Sequence, residues 1–167
     1  MTISMYAASI PLLKHNLKSL AAVLAKAEAH AMEKKIAPSV LLDSRLYPDM
    51  FPLTRQVQIA TDHAKGCAAR LSGSEIPKYE DTESSFADLA ARIAKTISFL
   101  DSVRADQIDG SEEREIALQA GPRTMEFKGQ AYLTNWVLPN FFFHVTTAYA
   151  ILRHNGVELS KADFLGM

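Results

Sequence analysis

Four stretches of this chain carry apolar residues at alternating three- and four-residue steps, and this spacing constrains the fold more than any other feature. Apolar side chains at these steps lie on one face of an α-helix, and that face must be buried against another element. The predicted helices span residues 2–35, 51–71, 82–103 and 130–154. Because each helix has one apolar face, a four-helix bundle is the simplest way to bury all four, within one all-α domain covering residues 1–167.

Two prolines fall inside the predicted helices. Pro11 indicates either a kink in the first helix or the true start of that helix, because proline has no N–H and clashes with the preceding turn. For the same reason, Pro139 predicts a kink in the last helix. A short apolar run, Val40 to Leu42, follows the first helix, and we expect it to pack against one end of the bundle.

The apolar period changes from about 3.6 to 2 between Arg114 and Lys128. Residues 115–119 and residues 123–128 each alternate polar and apolar side chains. Ala120-Gly121-Pro122 between them has the composition of a turn. The segment therefore predicts a small β-hairpin immediately before the last helix.

The connection between the second and third helices is long enough to leave the helix order open. It has about 11 residues and could reach roughly 36 Å when extended. The second helix, with about 20 residues, is roughly 30 Å long. The loop can therefore run the full length of the bundle, so the second and third helices are free to lie parallel.

Composition excludes several classes of protein. Lys plus Arg total 18 and Asp plus Glu total 19, so the net charge of −1 argues against a nucleic-acid partner. The single cysteine, Cys67, excludes an intrachain disulfide framework and a cysteine-rich metal site. Cys67 lies on the apolar face of the second helix, which is typical of an unreactive core thiol.

Targeting signals are not evident in the sequence. The first residues lack a basic segment before an apolar core, so no secretory signal is indicated. The most apolar stretch, residues 132–152, contains two asparagines, three threonines and a histidine, which favours a buried helix over a membrane span. We therefore expect a cytoplasmic protein with no membrane partner.

The candidate ligand pocket centres on His144, which lies in the most apolar helix. Asn140 and Thr147 share its stripe at helical spacing. Either these residues form a polar pocket or metal site facing the bundle interior, or His144 is a core histidine bonded to a neighbouring helix; we favour the second interpretation. Gln58 and Asp62 on the second helix are predicted to line the pocket opposite His144, although a solvated helix face also fits them.

The pattern around His144 does not predict a metal site. A histidine four residues after it would be a strong signal, but position 148 is alanine. His154 is ten residues away, about 15 Å along the helix axis. The histidines on the other helices are interpreted as surface residues; they are His15, His30 and His63. Trp136, the one tryptophan, is interpreted as a packing residue.

Several runs of the sequence resemble a bacterial family of uncharacterised proteins within the DinB-like helical-bundle superfamily. The resemblance extends over nearly the whole chain. It implies a four-helix bundle in up-down-down-up order. The runs that carry it are Ile3-Ser4-Met5-Tyr6, Pro48 to Gln58, Phe127-Lys128-Gly129 with Tyr132-Leu133, Leu138 to Val145, and Tyr149 to Gly156.

The resemblance also implies a metal site that this sequence mostly lacks. Members of the superfamily often bind a divalent metal through three histidines, one from the second helix and two, four residues apart, from the last. His144 resembles the first histidine of the last-helix pair, but Ala148 replaces the second, and Gln56 and Gln58 stand near the second-helix position. At most one of three ligands is then retained, so we expect no cofactor.

Two functions are compatible with these observations. The favoured one is a non-catalytic or small-ligand-binding module whose pocket contains the residues named above. The alternative, implied by the resemblance, is a divalent-metal-dependent hydrolase or thiol transferase in which His144 acts with Asp62 or Gln58 as substituted ligands.

Self-association is a further expectation. Phe141, Phe142 and Phe143 are consecutive, and a helix places consecutive side chains about 100° apart, so one bundle core cannot accept all three. At least one must cover a connector or contact another subunit. The sequence therefore predicts a homodimer with a small-molecule ligand as its other partner.

Overall fold

The computed structural model describes residues 3–167 as a helical bundle with one hairpin. Four long helices form the bundle, and short elements connect them. In chain order the elements are α1 (Ile10–Glu33), α2 (Pro38–Leu42), α3 (Leu53–Ser72), α4 (Phe86–Asp101), α5 (Ala105–Ile108), β1 (Glu115–Ala120), β2 (Arg123–Lys128), α6 (Gly129–Ala131), a π-helical segment (Tyr132–Val137), α7 (Leu138–His154) and α8 (Lys161–Leu165).

The contacts of α3 show its direction relative to α7, the last of the four long helices. Gln56, near the start of α3, bonds to His144 in the middle of α7. Arg70, near the end of α3, bonds to Tyr132, which precedes α7 in the chain. The two helices are therefore antiparallel.

The other helix directions follow from side-chain pairs in the same way. Gln58 of α3 donates to Glu83, just before α4, and Asp62 accepts from Arg92, midway along α4, so α3 and α4 run parallel. Lys14 near the start of α1 pairs with Asp101 at the end of α4, so those helices are antiparallel. These directions together give the predicted up-down-down-up order, which is confirmed.

Two helices begin later in the chain than predicted. Pro11 was interpreted either as a kink in the first helix or as the start of that helix. The second interpretation is confirmed, because α1 begins at Ile10 rather than at residue 2. The third long helix begins at Phe86, not at residue 82, because the side chain of Ser85 accepts the N–H of Asp88 and caps the helix there.

The last helix changes its winding where the kink was predicted. Residues Tyr132–Val137 form a π-helical segment, and Pro139 follows in the first turn of α7. Proline lacks the N–H that a regular helix would need at this point, and a local π turn is one way in which a helix accommodates the missing bond.

The hairpin is confirmed within one residue of its predicted start. Ile116 pairs with Phe127 in an antiparallel register, and Ile116 and Leu118 turn their side chains into the core. The two apolar residues that end the run after α1, Leu41 and Leu42, are also buried, as expected. Within residues 3–167, no helix combines the length and apolar character needed to cross a membrane.

Candidate functional site

A stripe of three polar residues runs along α3 at seven-residue intervals. Seven residues make almost exactly two helical turns, so side chains at this spacing lie on one face. This face lies against the last helix and the π-helical segment before it. We call the residues that meet there the histidine site: Gln56, His63 and Arg70 on α3, and Tyr132, Trp136 and His144 opposite them.

The hydrogen bonds of Gln56 define the protonation of the His144 ring. The Gln56 Nε2 donates to the carbonyl oxygen of Phe51 at 3.0 Å, so its Oε1 is free to accept. The His144 Nδ1 lies 2.7 Å from that Oε1 and must therefore carry the proton. In the neutral ring this leaves Nε2 of His144 as an unprotonated acceptor. The bond joins His144 to a neighbouring helix, which is the interpretation of His144 that the sequence favoured.

The ring of His63 lies on the ring of His144. Their centroids are 5.9 Å apart with 17° between the planes, and Trp136 contacts His63 edge-on at 6.3 Å. Within residues 3–167, neither ring nitrogen of His63 has a hydrogen-bond partner, and the same is true of Nε2 of His144. Three ring nitrogens at this site are therefore available to a ligand.

Both imidazoles are neutral near pH 7. Burial lowers the pKa of His63 to about 4, with further lowering by His144 and Arg70 against the opposing effect of Asp62. Burial, aided by the charge of Arg55, also lowers the pKa of His144. Neutral rings offer lone pairs for accepting a proton or a hydrogen bond, so the pair acts as an acceptor surface.

Gln58 and Asp62 do not reach the histidine site. Gln58 donates to Glu83 at 2.8 Å, and Asp62 accepts from Arg92 at 2.9 Å, on the side of α3 that faces α4. The physical reason is helical register, because Gln58 lies two residues, or about 200°, from Gln56. The suggested pairing of His144 with either residue as a metal ligand therefore has no geometric basis.

Gln58 and Asp62 belong instead to a second polar group, which we call the arginine cluster. Arg92 is its centre, with a side chain only 2 % exposed. Every carboxylate of the cluster is within 3.0 Å of that guanidinium. Although burial opposes it, hydrogen bonds from Arg92 and Gln58 hold the pKa of Glu83 below its ordinary value. The members of the cluster are Gln58, Thr61, Asp62, Asp81, Glu83 and Arg92.

Asn140 and Thr147 lie on the last helix as predicted but bond to their own helix. The Asn140 Nδ2 donates to the carbonyl of Trp136, and the Thr147 Oγ1 donates to the carbonyl of Phe143, both at 2.7 Å. These are bonds to the residue four positions earlier, which is a common arrangement for such side chains. Neither residue is the partner of His144.

The sequence interpretation missed His63 and Arg70. His63 was assigned to the surface, but it is half-buried and in contact with His144. The signal was present in the sequence as three polar residues spaced by seven, directly beside the apolar stripe of the same helix. Trp136 does pack, as predicted, although one of its neighbours is His63.

Two other chemical features were of interest at the sequence level: the thiol of Cys67 and a possible group of metal ligands. Burial raises the pKa of the Cys67 thiol to about 12, as expected for an unreactive core thiol. Among residues 3–167, no three His, Cys, Asp or Glu side chains are grouped so that they could hold a metal ion.

The architecture defines the class of protein. The chain is 41 % identical to a DinB family member protein from Shewanella denitrificans of known crystal structure, over 97 % of this chain and 92 % of that chain, with a TM-score of 0.91. The fold is thus a DinB-like bundle with a small β-hairpin before the last helix. Residues 5–165 match the model of a domain of unknown function, DUF1993, and the chain belongs to that family. No curated protein matches the chain.

Proposed function

We propose that this protein is a small-ligand-binding module and that its ligand binds at the histidine site. The observation that carries the proposal is the stacked pair of neutral imidazoles, His63 and His144, with three ring nitrogens that have no partner in the described residues. These nitrogens reach solvent, so a ligand arriving from solution can contact them. A ligand with one or more hydrogen-bond donors would satisfy these nitrogens.

The surroundings suit a small organic molecule. Trp136 lies edge-on against His63, and Phe143 lies edge-on against His144 at 5.2 Å. Aromatic walls with a few convergent polar groups are typical of small-molecule sites. The Gln56 bond holds the His144 ring in one orientation and one tautomer, so the acceptor at Nε2 is preorganised.

The three-histidine metal site implied by the superfamily does not fit these residues. Ala148, which is fully buried, stands in place of the second histidine of the last-helix pair, and the second imidazole that meets His144 comes from His63. The Nε2 of His144 and the nitrogens of His63 remain chemically able to ligate a metal. Metal-dependent chemistry is therefore the alternative that an experiment must separate from ligand binding by the rings alone.

The histidine ring signals in an NMR spectrum provide the test. Small aromatic and heteroaromatic donors are added to metal-free protein, and we expect the His63 and His144 ring signals to shift together. The variants His63→Gln and His144→Gln should abolish that response, whereas the matched control His154→Gln, an exposed position on the same helix as His144, should retain it.

Two results would contradict the proposal. If no compound perturbs the two rings, the site does not bind small ligands. If metal-free protein is inert, and zinc or nickel raises the melting temperature in a manner that depends on both histidines, the metal-dependent alternative replaces the proposal.

Self-association belongs to the same proposal. Of the three consecutive phenylalanines, Phe141 is fully buried and Phe143 is 56 % exposed. Tyr47 and Phe51 are also more than half exposed, and Phe51 lies one hydrogen bond from Gln56 of the histidine site. Large apolar patches are uncommon on monomers, so these exposed aromatics support a homodimer as part of the proposal. Light scattering at high micromolar concentration tests this proposal: we expect a dimer that Phe143→Ser weakens. A wild-type protein that is monomeric, with the same mass as Phe143→Ser, would contradict it.

A further inference from the structure

Arg70 is the least compensated half-buried charge in the histidine site. Its Nη1 donates to the Tyr132 hydroxyl at 3.1 Å, and its guanidinium carbon is 5.8 Å from the centre of that ring. In the part of the chain that the structure describes, no carboxylate lies within 4 Å of it. A guanidinium has five N–H donors, so most of its hydrogen-bonding capacity is unused.

The other cations on the same helix are neutralised. Arg55 pairs with Asp81 at 2.5 Å, and Lys65 pairs with Asp62 at 3.0 Å. Charged groups removed from water are ordinarily paired, because burial without a partner is unfavourable. Arg70 is only half-buried, and its free N–H groups reach solvent. Because no described carboxylate neutralises it, its charge on the face toward α7 is open to an anion from solution.

Gly66 shows that the fold makes room for this guanidinium. A Cβ atom at position 66 would stand 2.6 Å from Nη1 of Arg70, closer than any real contact. Glycine inside a helix lowers stability relative to alanine. The space that Gly66 leaves for the Arg70 guanidinium explains its presence here. The Arg70 side chain folds back toward the start of α3 by one turn, which brings its charge close to His63.

We propose that Arg70 binds the oxyanion group, a carboxylate or a phosphate, of a small ligand whose remaining atoms lie against His63 and Trp136. Gly66 follows His63 by three residues, so the guanidinium stands roughly 5 Å along the helix axis from the level of His63. A compact ligand spans that distance. The inference rests on the proposed function and adds the charge of the ligand to it.

The chemistry of guanidinium favours this class of ligand. Its planar fork pairs with carboxylate and phosphate oxygens through two parallel hydrogen bonds. The Tyr132 hydroxyl accepts from one N–H and leaves the other donors of the fork for an anion. The charge of Arg70 also contributes to the low pKa of His63, which shows that the two groups are electrostatically coupled across the site.

The emission of Trp136 provides a direct readout, because it is the only tryptophan and contacts His63. Benzoate, phenyl phosphate and the neutral analogue benzamide are titrated separately into the full-length protein. We expect one of the two anions to bind at least about tenfold more tightly than benzamide, the size expected for a charge-assisted pair. Whichever anion binds more tightly identifies the oxyanion.

Two variants and one control connect the preference to Arg70. Arg70→Gln should remove the preference for the anion, and Arg153→Gln, an exposed arginine on α7, should keep it. Should Arg70→Gln fold poorly, Gly66→Ala provides the same test, because the added methyl group displaces the guanidinium without removing it.

The outcomes separate this inference from the proposed function. Equal binding of all three probes, or an anion preference that survives in Arg70→Gln, overturns the oxyanion assignment and leaves the ligand-binding proposal in place. Failure of all three probes to bind contradicts both.

Discussion

The arginine cluster and the histidine site lie on opposite sides of α3 and are built in opposite ways. In the cluster, Arg92 is deeply buried and surrounded by Asp62, Asp81 and Glu83, so that its charge is fully balanced. In the histidine site, the rings of His63 and His144 keep nitrogens that have no hydrogen-bond partner among residues 3–167. The arginine cluster joins α3, α4 and the loop between them. The histidine site leaves ring nitrogens that can still accept hydrogen bonds.

This contrast distinguishes polar groups that stabilise the fold from polar groups that are available to a ligand. A polar side chain that is buried and completely satisfied contributes to the uniqueness of the fold. One that is half-buried and reaches solvent without a protein partner keeps hydrogen-bonding capacity that a ligand can use. Gln58 and Asp62, which were predicted to line the pocket, belong to the satisfied kind of group.

The largest expected effect is the loss of Arg92. Arg92→Met removes the buried cation that Asp62, Asp81 and Glu83 share, and we expect the free energy of unfolding to fall by about 3–5 kcal/mol. Chemical denaturation at pH 7 measures it. The matched control is Arg104→Gln, because Arg104 and Asp106 form a fully exposed pair and their separation should have no measurable effect. An Arg92 variant as stable as the wild type would show that the cluster is not structural.

The next effect is a pH dependence that originates in His63. Its pKa is lowered from 6.5 to about 4 in the folded protein, so between those values the unfolded chain binds a proton that the folded chain does not. The free energy of unfolding should therefore fall as the pH falls through this window, by up to about 3 kcal/mol. In His63→Gln that part of the acid destabilisation should be missing, and an identical pH profile in both proteins would refute the assignment.

A smaller effect is expected at Gln56. Gln56→Leu removes the acceptor of the buried His144 Nδ1–H, which should lower the free energy of unfolding by about 1–2 kcal/mol. Adding His144→Leu to that variant removes the orphaned donor as well and should recover part of the loss. Additive losses in the double variant would mean that the two side chains are not coupled.

The smallest effect on stability is expected at Gly66. Alanine is the better helix former, by about 1 kcal/mol, and the residue it displaces is the flexible end of Arg70. We expect Gly66→Ala to change the melting temperature by only a few degrees. A large drop would indicate that the Arg70 guanidinium is required for folding rather than held for a ligand.

The fold could be predicted because its signals are local. Apolar periodicity identified the four long helices and the hairpin, and Pro11 and Pro139 marked a helix start and a change in winding. The predicted helix starts were less accurate. The N-cap of α4 is set by one side-chain bond at Ser85, and Thr82 has the same kind of capping side chain three residues earlier.

The site could be predicted only in part, because it depends on which side of a helix meets which neighbour. His144 was recognised, since its own helix buries it. Its partner depended on the pairing of α3 with the last helix, which places Gln56 and His63 opposite it. Composition alone does not distinguish that face of α3 from the one carrying Gln58, because both are polar and both border the same apolar stripe.

The state of the two imidazoles at neutral pH is the most direct test of the account. Nitrogen-15 NMR of the ring nitrogens distinguishes the two neutral tautomers from the imidazolium. The account predicts that His144 carries its proton on Nδ1, with a bare Nε2, and that His63 is neutral. A proton on Nε2 of His144, or a charged His63 at pH 7, would contradict the claim that this pair is an open acceptor site for a ligand.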